Sequence, residues 1–174
     1  MKSVMGLDLS LTSTGVSCDG KTSAITAKSK GAQRLYDIRA VLRAELAANH
    51  HPGVVIEGYS FASRNSQAHR IGELGGVVRL LLHDLGIPYV EVPPTVRAKF
   101  ATGKGNAGKH EVVSAVSART GIVWDGAGGN DRCDAYILEE MGRAVLGRAR
   151  HDWPATNLTA LEKIDWSELE QYCE

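Results

Sequence analysis

The chain has 174 residues, 43% of them apolar and 19 of them glycine, and its 20 basic side chains balance 20 acidic ones. That length suits a single domain able to bury ~70% of its unfolded surface in one core. No stretch nears the ~20 consecutive apolar residues of a membrane span, and Cys18, Cys133 and Cys173, an odd set without C-x-x-C spacing, give neither a zinc motif nor a disulfide framework. Asp8 interrupts the apolar N-terminal run, so a signal peptide is not expected and a cytoplasmic protein is.

In chain order, VMGLDLSLTSTGVS (4–17) reads as strand, polar turn and strand. Side chains alternate along a strand, so Val4, Gly6 and Asp8 share one face and Met5, Leu7 and Leu9 the other. Lys21 to Lys28 makes a third strand after the turn at Gly20. From Gly31 to His50 an apolar stripe of Leu35, Ile38, Val41, Leu42 and Leu46 predicts a helix. Val54 to Glu57 is a short apolar strand of the buried parallel kind. A polar loop over 58–68 leads to a helix marked by Ile71, Leu74, Val78, Leu81, Leu82 and Leu85. Pro88 to Val92 is a fifth strand, Thr95 to Ala101 a short helix, His110 to Arg119 another, and about Asn130 to Gly147 the last core helix. The order predicts an α/β layout: a five-stranded mixed sheet flanked by helices.

The charge is unevenly spread. Residues 151–174 hold six acids and one base, Lys163, leaving 19 bases against 14 acids before them. Thr95 to His110 carries Arg97, Lys99, Lys104 and Lys109 with no acid, and Gly58 to Gly72 carries Arg64 and Arg70 with none. Such local basic stretches suit a polyanion, although solvated loops share the pattern. Tyr59 and Phe61 lie beside Arg64, as side chains that stack on unpaired bases would, or as plain loop anchors. Gly103 to Lys109 fits G-x-x-x-x-G-K, but His110 replaces the Ser or Thr of a nucleotide-binding loop and no clear strand precedes it. A nucleotide cofactor is therefore not expected.

Asp8 and Glu57 both end apolar strands, where an isolated carboxylate is costly to bury. Asp131, Asp134, Leu138, Met141 and Val145, spaced three and four apart, form one helical stripe that begins acidic and turns apolar. If its apolar part faces the sheet, its two aspartates meet the strand ends carrying Asp8 and Glu57. Each acid has a simpler reading: Asp8 pairing with a core arginine, Glu57 capping a neighbouring helix, Asp131 favouring a helix start. All four together point to shared Mg²⁺, two ions about 3.5–4 Å apart being a common arrangement for phosphodiester hydrolysis. Mn²⁺ is expected to substitute.

The segments MGLDLSLTSTGVS, VVIEGYSF, KFATGKGNAGK and NDRCDAYIL, spread over about residues 4–140, resemble the RuvC family of Holliday-junction resolvases within the ribonuclease H-like superfamily, phage-encoded members in particular. The resemblance implies a ribonuclease H-like fold over 1–150, with three antiparallel strands followed by two parallel ones. It also implies a homodimer and Mg²⁺-dependent nicking of branched DNA, four-way junctions foremost. On it, Asp8, Glu57, Asp131 and Asp134 match metal ligands, Lys109 matches a catalytic loop lysine, and Lys99 a second. Phe61 or Tyr59 falls near the family's stacking aromatic, offset by one residue. DNA contacts are expected from Arg64, Arg70, Arg97, Lys99, Lys104 and Lys109.

Other readings share parts of the pattern. A flap or fork nuclease would use the same groove and metals. DLSLTSTG is similar to the phosphate hairpin of actin-like ATPases and sugar kinases, whose duplicated domain needs about twice this length. A non-catalytic DNA-binding module would be expected to have lost some of the four acids. The tail, 151–174, lies outside the resemblance. Thr159 to Glu162 has capping-box form, and Leu158, Leu161, Ile164 (or Asp165), Leu169 and Tyr172 mark the apolar side of an acidic tail helix expected to dock on its own core or a partner.

Overall fold

Five strands form one mixed sheet in the order β3-β2-β1-β4-β5. β1 (Val4–Asp8) pairs antiparallel with β2 (Thr14–Cys18), and β2 antiparallel with β3 (Lys21–Ile25). β1 runs parallel to β4 (Gly53–Glu57), and β4 parallel to β5 (Tyr89–Val92). The structure is a computed structural model; it describes residues 1–58 and 66–174, and within 66–70 the backbone alone. Tyr59, Phe61, Arg64 and the side chain of Arg70 therefore lie outside the described residues.

Parallel neighbours need crossovers, and two helices supply them. α1 (Gly31–Ala48) joins β3 to β4, and α2 (Ser66–Asp84) joins β4 to β5. The alternation along β1 and β4 sends Met5, Leu7, Val54 and Ile56 toward these helices, against Ile38, Leu42, Leu46, Leu74 and Val78. On the opposite face Val4, Val55, Val90 and Val92 pack against α5 (Gly129–Val145). α3 (Pro94–Thr102) and α4 (Lys109–Thr120) flank α5 on that side. Among the described residues no helix is long and apolar enough to cross a membrane, and all three cysteines are buried free thiols.

Two glycines explain how closely α5 lies on the sheet. A Cβ added at Gly6 would stand 2.0 Å from the Ala135 carbonyl oxygen, and one at Gly15 would stand 2.0 Å from that of Asp131. Strand backbone and helix backbone touch there, which any larger residue would prevent. The contact carries the first turn of α5 to the end of β1.

α5 departs from the expected single stripe. Every residue from Cys133 to Gly142 is buried, including Glu139 and Glu140. Arg150 closes over both acids, its Nη1 lying 2.7 Å from Glu139 and 3.1 Å from Glu140. Ser17 Oγ donates to Glu139 at 2.5 Å and Trp153 Nε1 to Glu140 at 3.2 Å. Buried acids with this many partners are tolerable, whereas unpaired ones are not.

The tail is not one helix. It folds as α6 (Ala155–Leu158), a 3₁₀ turn (Leu161–Lys163) and α7 (Ser167–Cys173). Thr159 does not cap forward; its hydroxyl donates back to the Thr156 carbonyl at 2.8 Å, closing α6. Ile164 is extended, and Asp165 accepts from the Ser167 amide at 3.0 Å, starting α7 instead. These breaks let Trp153, Ala160, Trp166, Leu169 and Cys173 all enter the core beside α5. One continuous helix, with a single apolar side, would leave part of that set in water.

Candidate active site

The site forms where β1 and β4 end. Their parallel register pairs Leu7 with Ile56, so the next residues, Asp8 and Glu57, stand side by side at the C-terminal edge of the sheet. Ligands of α/β sheets commonly bind at that edge. α5 begins over the same edge and contributes Asp131 and Asp134 from its first turns. Asp8 feels the charges of Glu57, Asp134 and Asp131, so the four acids gather into one electrostatic cluster.

Burial raises the Asp8 carboxyl well above the usual range, and the neighbouring charges of Glu57 and Asp134 add to the effect. Asp134, 8% exposed, is pushed up to about 6, chiefly by burial. One cation inside the cluster opposes these shifts. Arg97, on α3 and itself 8% exposed, donates Nε–H to Glu57 Oε2 and Nη1–H to Asp134 Oδ1. Burial disfavours its charge, yet Glu57, Asp134 and Asp8 outweigh that and hold the guanidinium above its ordinary value. Asp134 stays raised because burial outweighs the pull of Arg97, and the charges of Glu57 and Asp131 add to the rise.

Arg97 was expected to contact DNA; in the fold it is buried and its guanidinium is paired with two acids. Its sequence context held the signal. Val96, Ala98, Phe100 and Ala101 around it are all buried, and a cation in such a stretch has to find acids nearby. The structure thus brings together one of the simpler readings, a core arginine among the acids, with the four-acid cluster itself.

The remaining bases are arranged by the glycine-rich segment. Gly103 ends α3 in a left-handed conformation (φ 82°), and after five more residues Lys109 opens α4. Lys109 is near enough to Asp134 to draw its carboxyl downward, and both line a small cleft of about 160 Å³ with Thr95, Arg97, Gly105 and Val112. Lys104 is exposed, 3.4 Å from Glu111. Lys99 is half-buried on α3.

The donor set suits hard divalent cations in kind, being carboxylate oxygens alone. In arrangement, no group of three or more His, Cys, Asp or Glu among the described residues is poised as a metal cage. Glu57 and Asp134 are instead turned to Arg97.

No family model matches the chain. It is 31% identical over 87 residues to the crossover junction endodeoxyribonuclease RuvC of Sorangium cellulosum, a match over 50% of this chain that spans about half of that relative's length, 49%. Among solved structures, Thermus thermophilus RuvC superposes with a TM-score of 0.65 at 20% identity, over 86% of this chain and 99% of that one. The T. thermophilus protein in complex with a Holliday junction substrate gives 0.66, also at 20% identity, over 87% and 100%. The yeast mitochondrial Holliday junction resolvase gives 0.52 at 12% identity, over 99% and 83%. The five-stranded mixed sheet with its flanking helices is the fold of RuvC, the ribonuclease H-like arrangement, across most of this chain.

Proposed function

We propose that the protein is a metal-dependent endonuclease that nicks branched DNA, with four-way junctions as its foremost substrate. The observation that carries this reading is the gathering of Asp8, Glu57, Asp131 and Asp134 at the sheet's C-terminal edge, beside Lys109. Those four acids would hold two Mg²⁺ ions, with Mn²⁺ as a substitute. Such ions, when bound, supply an activated water and stabilise the leaving oxygen of a phosphodiester.

The chain's own residues do the rest. β1, β4 and α5 fix the carboxylates on rigid elements, so the site is positioned by core packing rather than by a loop. Lys109, exposed at the start of α4, reaches the rim of the cleft and neutralises a phosphate oxygen there. Lys99 and Lys104 extend the positive surface along the DNA backbone, and Arg64 and Arg70 supply further phosphate contacts. Tyr59 or Phe61 stacks on a base unpaired at the branch point. Symmetrical nicking of a four-way junction calls for two sites related by a two-fold axis, hence a homodimer.

Labelled four-way junction, flap, fork and plain duplex, each incubated with the protein and Mg²⁺, test the reading. Paired nicks in the junction, absent with Asp8→Asn, are expected. Preferential cutting of flaps or forks would move the substrate to those structures, and no cutting of any branched DNA would remove the nuclease assignment.

A further inference from the structure

We propose that Arg97 is a built-in competitor for the metal site, a side-chain cation that must leave Glu57 and Asp134 before a divalent ion can bridge them. The proposal rests on the metal-site reading above and concerns what this chain adds to it. Nε and Nη1 of one guanidinium point at Glu57 Oε2 and Asp134 Oδ1, one oxygen from each of the two acids that β4 and α5 bring together. A metal ion held by those two acids would need the same oxygen lone pairs. Two cations within a few ångströms of one another, in a site this enclosed, repel strongly. Guanidinium and metal therefore exclude each other there.

The surroundings of Arg97 make the exchange possible. Its stem emerges from α3 between Val96 and Ala98, both buried, so the backbone end is fixed. Arg97 borders the cleft shared with Lys109, which gives the freed side chain somewhere to go. There it would stand beside Lys109, facing a DNA phosphate. A bound phosphodiester thus favours the displaced position, and substrate and metal assist one another at this site. Reciprocal coupling of this kind is typically 5–150-fold in affinity.

The competing explanation is that Arg97 only holds the acids in a metal-ready geometry, and it predicts the opposite sign. Mn²⁺ binding to the full chain, followed by titration calorimetry without DNA, separates the two. Competition predicts that Arg97→Gln binds Mn²⁺ about tenfold more tightly than wild type, a change within that coupling range. The same variant melts at a lower temperature in EDTA, since its acids have lost their counter-charge. Equal or weaker Mn²⁺ binding by Arg97→Gln would overturn the proposal and leave the nuclease reading standing. A wild-type readout covers the case in which the variant does not fold. In ¹⁵N-labelled protein the Arg97 Nε–H resonance, assigned by its loss in Arg97→Lys, is expected to broaden or shift as Mg²⁺ is added, with the midpoint of the binding isotherm. A resonance unchanged through metal saturation contradicts displacement. If neither wild type nor variant binds Mn²⁺ at millimolar concentration, both this proposal and the metal-dependent function fail together.

Discussion

Asp8 shows how a functional residue burdens its own fold. It is an acid at the end of an apolar strand, raised by burial and by three neighbouring carboxylates, and among the described residues no side-chain hydrogen bond offsets its cost. Asp8→Asn keeps the shape and removes the charge. The variant is expected to lose cleavage entirely, yet to melt higher than wild type in EDTA, by about 2–4 °C for each 1 kcal/mol regained in a chain of this size. A lower melting temperature would mean that the carboxylate contributes to stability. Asp134 and Glu139 are raised as well, so the same sign applies to pH. Above about 6 the folded protein bears the cost of ionising Asp134, whereas the unfolded chain ionises without penalty; protonation below that value relieves the folded state alone. Metal-free stability should therefore increase as the pH falls from about 7 toward 5, which denaturant titrations at several pH values would check.

Lys104 and Lys109 are both exposed, but their surroundings differ. Lys104 meets Glu111 at 3.4 Å across solvent, a pairing worth little, and it remains available to a phosphate. Lys104→Ala is expected to weaken binding to every DNA sequence alike and to lower the salt slope of binding by about one. Lys109→Ala should reduce turnover more than affinity, because Lys109 borders Asp134. An unchanged salt slope for Lys104→Ala would place the phosphate path elsewhere.

At the scale of elements, the strand ends and the start of α5 were legible because period and position agreed: β1 and β4 each finish on their acid, and Asp131 and Asp134 lie one turn apart. The burial of α5 all round was not legible. Glu139 and Glu140 look like solvent-facing residues until Arg150, Ser17 and Trp153 are brought to them by other parts of the chain, and spacing within one helix carries no record of those partners. The pairing of Arg97 was not legible for the same reason, its acids being 40 and 37 residues away. The tail's capping box failed because the chain gained more by turning twice and burying two tryptophans than by extending one helix. Gly6 was visible as a strand glycine, but its role needed the facing backbone. Gly6→Ala must push α5 off β1, so it is expected to cost several kcal/mol and to reduce metal binding by displacing Asp131 and Asp134 from Asp8. Wild-type melting in Gly6→Ala would show that the sheet and helix have slack there.

For the whole molecule, residues 151–174 complete the core. α7 packs against β4 and β5, Asn157 Nδ2 donates to the Phe100 carbonyl at 2.7 Å, and Trp153 lies 4.4 Å from the Phe100 ring. The six acids of the tail, Asp152, Glu162, Asp165, Glu168, Glu170 and Glu174, remain exposed. Deleting 151–174 takes Trp153 away from Glu140 and opens the layer around α5. Loss of the cooperative unfolding transition or a marked fall in melting temperature is expected, with DNA affinity per folded molecule little changed. Tighter DNA binding by a stably folded truncation would instead make the tail an inhibitory flap over the basic surface.

The sheet order has a consequence for how the chain is made. β1 is synthesised first yet ends up in the middle of the sheet, covered on one face by α1 and α2 and on the other by α5 and the tail. The first cover is complete once about 85 residues have been translated, and that half can assemble while synthesis continues. The second cover waits for residues 129–173, so Val4, Val55, Val90 and Val92 face water, or a chaperone, until that segment leaves the ribosome. Because the acids of β1 and β4 meet those of α5 only at that step, a nascent chain cannot assemble the four-acid cluster before α5 has emerged.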